Sequence, residues 1–452
     1  MTSDSEMETE TKEKPTKSTE YSREEPSLGM KIAYTITLIV IISSMLSIPL
    51  LAGIPSSSNG RDPLFVVRTI TASQRGTFME LGIIPLVLAI LTTALLRKRL
   101  KSDNRSKDID SIYVFCFTIT FSIMLGLIYI FGGAYGPIDE FGIQNIALIV
   151  LQLFFASGII GAIHIISEEG YGIGKAIYWI IGISISFDIF DGMFSLKDYS
   201  PTQNKGCVIV LIQTIIKKIK DLCKGIHDTS YMDEFIGVFD RAGRDPDILG
   251  LLSTFVILAI IIYLVSIKVE IPSDKKSNTR KYNFFQNLEI PLILTKVCFS
   301  VIYFISNLIF TNWSKEDEGF KHFLVSFFGR WENVADPGQT EQLAPTSGLA
   351  AFITAPYGPD QVLDYLGNSI GYLILMGLVC GFMSWLYIHK LQNHDEAFTV
   401  GVFFRGILLG LLVVFAEYLG PLGTGTGIVL FVLISKKLHA EIKSIKNEKN
   451  KN

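Results

Sequence analysis

The chain has 452 residues, of which 49% are hydrophobic and 18% are charged, and its mean hydropathy is +0.40. These values exclude a disordered, collagen-like or nucleic-acid-coating protein and are typical of a membrane protein. The 40 basic and 43 acidic residues leave a net charge of −3, so no strong positive field attracts nucleic acid. Five cysteines form an odd number, and a disulfide framework is not expected, with Cys207 and Cys223 as the remaining candidate pair.

Ten apolar segments are candidates to cross a bilayer core about 30 Å thick, which roughly 20 helical residues span. Segments 1, 3, 4, 6, 7, 8 and 10 contain no Asp, Glu, Lys or Arg and cover residues 32–60, 111–138, 141–167, 248–267, 297–314, 365–389 and 418–435. Segment 2 (81–96) is short, segment 5 (176–187) continues into Asp188 and Asp191, and segment 9 contains Arg405 and Glu417. A bundle interior tolerates such charges. The sequence therefore predicts an all-α, polytopic membrane protein with ten transmembrane helices in two inverted five-helix halves.

The charge distribution predicts the topology and the boundaries of the regions. Residues 1–30 contain eight acidic and four basic residues, and we expect a disordered cytosolic tail there and no signal peptide. Basic residues follow segments 2, 6 and 10, whereas the connections after segments 3 and 9 contain none. Because basic residues concentrate on the cytosolic side, both termini are predicted to be cytosolic. The expected regions are an N-terminal half (31–195), an outer loop (196–247), a C-terminal half (248–440) and a second cytosolic tail (441–452).

An internal repeat links the two predicted halves. Residues 84–88 read IPLVL and residues 290–294 read IPLIL, and each pentad belongs to the second segment of its half. Halves with five helices each must be inverted relative to one another. Proline-interrupted segments at matching positions indicate the functional centre of such folds. Common membrane composition is the alternative explanation of the match.

Four motifs resemble those of a known family. Residues 72–85, ASQRGTFMELGIIP, resemble the start of the second helix in the family of SecY and the eukaryotic Sec translocon alpha subunit. Residues 170–174 (GYGIG), 289–291 (EIP) and 423–427 (GTGTG) resemble the openings of its later helices. The resemblance covers about residues 31–440 and is nearer to archaeal and eukaryotic members than to bacterial ones.

The same motifs allow other interpretations, which their context disfavours. No Gly-Lys-Ser/Thr follows residues 423–427, so a nucleotide-binding loop is not predicted. Residues 170–174 occur once, whereas a potassium filter needs four-fold repetition, and we expect a closely packed helix-start turn instead. The six histidines lack metal-ligand spacing. No cofactor, metal site or enzymatic activity is predicted.

By resemblance, the chain is a protein-conducting channel whose waist is a ring of aliphatic side chains. The ring falls on Ile83, Val87, Ile185, Ile189, Ile293 and Leu430. Ile83 and Val87, like Ile185 and Ile189, are four residues apart and share one helix face. A hydrophobic constriction excludes ions by dewetting, yet its side chains can part around a passing polypeptide. Ordinary core packing of β-branched residues is the alternative.

The resemblance also implies a plug, a short external helix that seals the channel and moves during transport. It comprises Asp62, Pro63, Leu64, Phe65, Val66, Val67, Arg68, Thr69, Ile70 and Thr71. This stretch is too short to span a bilayer and too apolar for a free loop. An interfacial re-entrant turn is the alternative.

Sideways release of apolar segments into lipid requires a lateral gate, which the family forms between helices 2 and 3 on one side and 7 and 8 on the other. Where the family has polar gate residues, this chain has Leu88, Leu125 and Val301. A more apolar seam favours the closed state, so we expect a stringent requirement for signal hydrophobicity. Lys296 and Asp188 are further predicted to form an ion pair near the ring, because each lies three residues beyond a ring residue.

The partners implied by the resemblance are SecE/gamma-type and SecG/beta-type small subunits, unfolded polypeptides and signal sequences. Segments 8 and 9 are joined by only about residues 391–396, where the family has a long basic loop that docks the ribosome. The short loop argues against ribosome docking, although Lys275, Lys276, Arg280 and Lys281 could contact ribosomal RNA or reflect ordinary cytosolic charge bias. No other nucleic-acid site is predicted.

The archaeal cell membrane is the expected location, with the endoplasmic reticulum membrane as the alternative. Two other functions stay open. A secondary transporter also uses inverted repeats and would need midplane carboxylates, for which Asp188 and Asp191 are candidates. A degenerate, non-conducting channel paralogue would explain the short loop between segments 8 and 9.

Overall fold

The computed structural model describes residues 26–50, 68–99, 107–131, 135, 138–196, 206–223, 236–239, 241, 246–272, 279–285, 287–313, 319–333, 343–356, 358–388 and 396–449. The first seven helices are α1 (Leu28–Ser47), α2 (Arg68–Thr71), α3 (Ile84–Arg99), α4 (Lys107–Phe131), α5 (Ile138–Glu168), α6 (Ala176–Phe194) and α7 (Cys207–Cys223). Later helices are α8 (Ile248–Val265), α9 (Glu289–Trp313), α10 (Phe320–Phe328), α11 (Gly348–Ile353), α12 (Gly358–Asp364), α13 (Leu366–Leu386), α14 (Glu396–Tyr418) and α15 (Gly425–Lys449).

Each of the ten predicted segments coincides with one of these helices, in the order α1, α3, α4, α5, α6, α8, α9, α13, α14 and α15. Eight of them are long and apolar enough to cross a membrane. Of the other two, α3 is a shorter apolar helix over Ile84–Arg97, and α15 begins apolar and ends in a charged half. The predicted all-α, ten-helix class is confirmed.

The repeated prolines lie at the beginnings of two helices. Pro85 is the second residue of α3, and Pro291 is the third residue of α9. Proline is tolerated in a first helical turn because the amide hydrogens there have no partner within the helix. The two pentads therefore start helices and do not interrupt them, which corrects the expectation of broken segments.

Several predicted boundaries differ from the structure. Helix α1 begins at Leu28, inside the predicted N-terminal tail, and α15 continues to Lys449 through the predicted C-terminal tail. The predicted outer loop contains α7, whose 17 residues place Cys207 and Cys223 roughly 24 Å apart at its two ends. A disulfide between them is therefore wrong, and all five cysteines are free.

Two short antiparallel hairpins accompany the helices in the described part of the chain. Strands β1 (Lys268–Pro272) and β2 (Thr279–Asn283) pair after α8. Strands β3 (Trp331–Asn333) and β4 (Leu343–Pro345) pair between α10 and α11.

Buried side chains form one large cluster and two smaller ones. The large cluster draws on α1, α3, α6, α8, α9 and α13–α15, which brings helices of both halves together. The second joins α3, α4 and α5, and the third joins α7 to the ends of α6 and α8. Helices α13 and α14 approach at backbone distance, since a Cβ on Gly410 would lie 2.8 Å from the carbonyl oxygen of Met376. Small residues permit such packing between membrane helices.

Candidate functional site

The six predicted ring residues all lie in or against the large buried cluster. Ile83, Val87, Ile185, Ile293 and Leu430 are at most 8% exposed and belong to this cluster, and the half-buried Ile189 packs against it. They come from the start of α3 and from α6, α9 and α15, so both halves contribute. Both halves therefore contribute buried aliphatic side chains to this cluster at the predicted positions.

The short helix α2 covers this group of residues. It contacts α6, α9 and α15, three of the helices that carry ring residues. The side chain of Thr69 is hydrogen-bonded to Asp188 of α6. A Cβ on Gly427 of α15 would lie 3.3 Å from Thr69 Cγ2 and 3.6 Å from Ile185 Cγ1. Of the predicted plug residues, Thr69 therefore lies against α6 and α15, while Asp62, Pro63, Leu64, Phe65, Val66 and Val67 lie outside the described residues.

A buried ion pair attaches α2 to the segment that leads into α3. Arg68 Nη2 lies 2.8 Å from Glu80 Oε1, and the Glu80 side chain is only 1% exposed. Arg68 also donates to the Glu80 carbonyl oxygen at 3.3 Å, and the Gly76 amide donates to the Glu80 carboxylate. Sequence reasoning placed Arg68 in the plug but missed Glu80. The sequence could have indicated this role of Glu80, because Glu80 is a carboxylate in an otherwise apolar stretch, where an ion needs a partner.

Helix α2 and Ile83 are also joined through the backbone. The amide of Ile83 donates to the carbonyl oxygen of Thr71 at 2.8 Å. Gly82, just before it, has φ +53°, and a Cβ there would overlap the Thr71 carbonyl oxygen. Only glycine combines this φ with this close approach.

The predicted gate residues are only partly brought together. Leu88 of α3 and Leu125 of α4 pack in the second cluster, but Val301 of α9 is 43% exposed. The side chain of α9 that enters this cluster is Phe304, whose ring stacks on Tyr129 of α4 with centroids 5.4 Å apart. Sequence reasoning missed this aromatic contact between the halves, although Phe304 lies one helical turn beyond Val301.

The predicted ion pair between Asp188 and Lys296 is wrong, because Lys296 has other partners. Its Nζ lies 3.6 Å from Glu417 Oε1 of α14 and donates to the Tyr372 hydroxyl of α13 at 2.7 Å. Glu417 also accepts hydrogen bonds from the amide and the hydroxyl of Thr426 in α15. Lys296 is 1% exposed, so this network compensates a fully buried ammonium group and joins four helices of the C-terminal half.

The glycine-rich motifs form helix-start turns, as predicted. Gly170 and Gly174 have φ values of 91° and 74° before α6, and Gly423 has φ 78° before α15. A Cβ on Gly425 would overlap the backbone of Ala416 and Glu417, which end α14. Positive φ values therefore explain Gly170, Gly174 and Gly423, and close approach of the backbone explains Gly425.

The basic residues proposed for cytosolic docking fall on the first hairpin. Arg280 and Lys281 lie on β2, opposite Ile271 and Glu270 of β1, whereas Lys275 and Lys276 lie outside the described residues. In the part of the chain that the structure describes, no group of three or more His, Cys, Asp or Glu residues could hold a metal ion.

Together, the apolar membrane-length helices and the hydrophobic cluster that joins both halves define a polytopic membrane protein. Residues 77–400 match the SecY family model, and the chain belongs to the SecY family. The protein transport protein Sec61 subunit alpha of Dictyostelium discoideum is 28% identical over 444 residues, with 89% of each chain covered.

Solved structures share the fold at lower identity. A protein-conducting channel is 19% identical and superposes with a TM-score of 0.63, covering 94% of both chains. Sec61 of the canine ribosome–channel complex from the endoplasmic reticulum is 20% identical, with a TM-score of 0.61 and 94% of both chains covered. The idle yeast Ssh1 complex bound to the yeast 80S ribosome is 19% identical with a TM-score of 0.64, covering 93% of this chain and 90% of that one.

Proposed function

We propose that this chain is the channel subunit through which unfolded secretory polypeptides cross the membrane and from which apolar segments pass sideways into lipid. Membership of the SecY family supports this function. The structural observation that supports it is the burial of aliphatic side chains from both halves in one cluster, against helices that the short helix α2 contacts. A transporter site would instead place polar, ligand-binding groups at this position.

In this proposal the ring and α2 act as two successive seals. Aliphatic side chains do not hydrate, so a closed ring holds back ions without a rigid barrier. Helix α2 adds a plug that must leave before a polypeptide enters. Its departure breaks the Arg68–Glu80 pair and the hydrogen bond between Ile83 and Thr71, both of which favour the closed state.

Sideways release would occur where α3 and α4 face α9. A segment gains roughly 0.3 to 0.6 kcal/mol for each central Leu or Ile and loses about 2.5 to 3.5 kcal/mol for each charge. An opened seam exposes the passing chain to lipid. The difference in transfer free energy between apolar and charged residues then selects apolar segments. Leu88, Leu125 and the Phe304–Tyr129 contact form an apolar seam that resists opening.

The proposed partners are a SecE/gamma-type and a SecG/beta-type small subunit, together with signal sequences and unfolded chains. The ribosome is a partner of the canine and yeast structures, but the connection between α13 and α14 in this chain is short. Copurification of the small subunits tests the first proposal. The host membrane is the archaeal cell membrane or the endoplasmic reticulum membrane, with both termini cytosolic.

Planar-bilayer conductance of the purified protein tests the channel function. Deletion of residues 62–71 should produce a large, poorly selective ion leak, while the intact chain stays closed. Coupled flux of a single solute that disappears in Asp188→Asn would instead indicate a transporter. A deletion variant with neither leak nor translocation would indicate a non-conducting paralogue.

A further inference from the structure

Helix α7 carries an apolar stripe that the protein itself does not cover. Ile212, Ile215, Ile216 and Ile219 are between 43% and 57% exposed. Their spacing of three and four residues places them on one side of the helix. The native Cys223, also exposed, lies seven residues after Ile216 and extends the same stripe.

A different side of α7 fixes the helix to the ends of membrane-spanning helices. Cys207 is fully buried and packs with Ile248 at the start of α8 and with Leu422 before α15. Just before the helix, the Gly206 amide donates to the carbonyl oxygen of Ser195 at 2.8 Å, where α6 has ended. A Cβ on Gly206 would overlap the backbone of Met193, so the chain reverses tightly there. The position of α7 is therefore set at the level where α6 leaves the membrane core and α8 enters it.

The isoleucine stripe continues an apolar surface that faces lipid. Phe190 and Phe194 on the last turns of α6 are 63% and 39% exposed, and Leu249 and Leu252 on the first turns of α8 are 54% and 53% exposed. Helix α7 contacts both of these helices. An exposed apolar surface on a membrane-spanning helix is covered by acyl chains, and α7 packs against both helices that carry such a surface.

The charges of α7 match lipid headgroups. Lys218 and Lys220 lie on the two flanks of the stripe, and Lys217 lies on the side away from it, with Asp221 as the only acidic residue of the helix. Amphipathic helices with isoleucine or leucine on one face and lysines around it lie in the plane of the bilayer interface. Lysine side chains then reach the phosphates while the apolar face enters the acyl boundary.

We propose that α7 is an interfacial helix whose isoleucine stripe inserts into the phospholipid monolayer at the membrane face where α6 ends. The lysines on its flanks bind lipid phosphates. The helix thereby anchors the connection between the two halves to the bilayer. This inference rests on the membrane-spanning fold and does not require that the protein conducts polypeptides.

Depth-dependent fluorescence quenching tests the proposal on the full-length protein. Native Cys223 is labelled with an environment-sensitive fluorophore in a Cys116→Ser variant, which removes the other exposed cysteine. The protein is reconstituted into phosphatidylcholine–phosphatidylglycerol vesicles that contain lipids with a nitroxide near the carbonyl end of the acyl chain. The matched control is Lys217→Cys in a Cys116→Ser/Cys223→Ser background, which places the label on the opposite side of the same helix.

The Cys223 label should be quenched several-fold more strongly by the nitroxide lipids than the Lys217→Cys label, and aqueous iodide should give the reverse order. An Ile216→Cys label, in the same background as the control, should behave like the Cys223 label. Equal iodide quenching at all three positions would overturn the proposal, because the stripe would then face water. Protection of the Cys223 and Ile216→Cys labels from both quenchers would also overturn it, because a protein partner would then cover the stripe.

Discussion

Gly82 is the residue at which the contact between α2 and Ile83 depends most directly on the absence of a side chain. Its φ of +53° disfavours any other residue, and a Cβ would overlap the Thr71 carbonyl oxygen. A left-handed conformation costs a residue with a Cβ about 1 to 2 kcal/mol, and the overlap must in addition displace α2. Gly82→Ala should therefore loosen the plug and produce an ion leak in planar bilayers.

Gly142 provides the matched control for this substitution. It also has a positive φ, 68°, but nothing lies within 4 Å of a Cβ built there. Gly142→Ala should lower the thermal midpoint slightly and leave the bilayer closed. Equal conductance of the two variants would mean that the contact between Gly82 and Thr71 does not hold the plug.

The buried network around Lys296 gives a second prediction for single residues. Removing one partner of a buried pair costs about 3 to 5 kcal/mol, because the other charge stays buried without compensation. Lys296→Met and Glu417→Gln should each lower the thermal midpoint strongly. The double variant should lose less free energy of unfolding than the two single losses added together, and the difference should be up to about 3 kcal/mol. Strict additivity in this cycle would contradict a direct interaction between the two side chains.

At the level of elements, the two cysteines of α7 report on how this helix is fixed. Burial raises the pKa of the Cys207 thiol, and the side chain is fully buried, whereas Cys223 is exposed. Since the thiolate is the reactive form, a maleimide should modify Cys223 before Cys207, and Cys207 only after unfolding in detergent. Mildly alkaline pH should leave Cys207 unmodified in the folded protein, because burial raises the pKa of its thiol and keeps it protonated. Labelling of both residues only after reduction would contradict the helix and indicate a disulfide.

The elements that the sequence predicted are those with a simple apolar signature. All ten spanning segments coincide with helices, since long stretches without charges leave few alternatives in a membrane. Helix α7 was missed because Lys217, Lys218 and Lys220 interrupt its apolar run, and only its helical periodicity distinguishes it from a polar loop. The ends of α1 and α15 were misplaced because charged residues can continue a helix into water.

Contacts between distant elements were predictable only where the family resemblance supplied them. The ring positions came from that resemblance, and the structure brings them into one cluster. Lys296 was paired with Asp188 on the basis of spacing along single helices, but its partners lie on α13 and α14. Sequence spacing gives the face of a helix and does not identify the helix that this face meets.

On the scale of the whole molecule, two contacts of different strength join the N-terminal and C-terminal halves. Tyr178 of α6 donates to the buried carboxylate of Glu289 at the start of α9, and Lys437 of α15 pairs with the same carboxylate. Hydrogen bonds to charged groups contribute about 1.5 to 3 kcal/mol. The stack of Tyr129 on Phe304 contributes about 0.5 to 1.5 kcal/mol beyond its buried area. The halves should therefore separate first at Phe304, while Glu289 continues to hold them together.

This difference predicts how the gate responds to signal sequences. Phe304→Ala removes the aromatic contact across the seam and should favour opening by about 0.5 to 1.5 kcal/mol. At roughly 0.3 to 0.6 kcal/mol for each Leu, the variant should accept signals with about one to five fewer leucines than the parent chain requires. The measurement is translocation of a secreted reporter into reconstituted vesicles, with a series of signals of decreasing leucine content.

Ile305→Ala is the control, because Ile305 is the next residue of α9 and is 39% exposed. It should leave the leucine requirement unchanged, and an equal shift in both variants would mean that general loosening of α9, and not the Tyr129–Phe304 contact, sets the threshold.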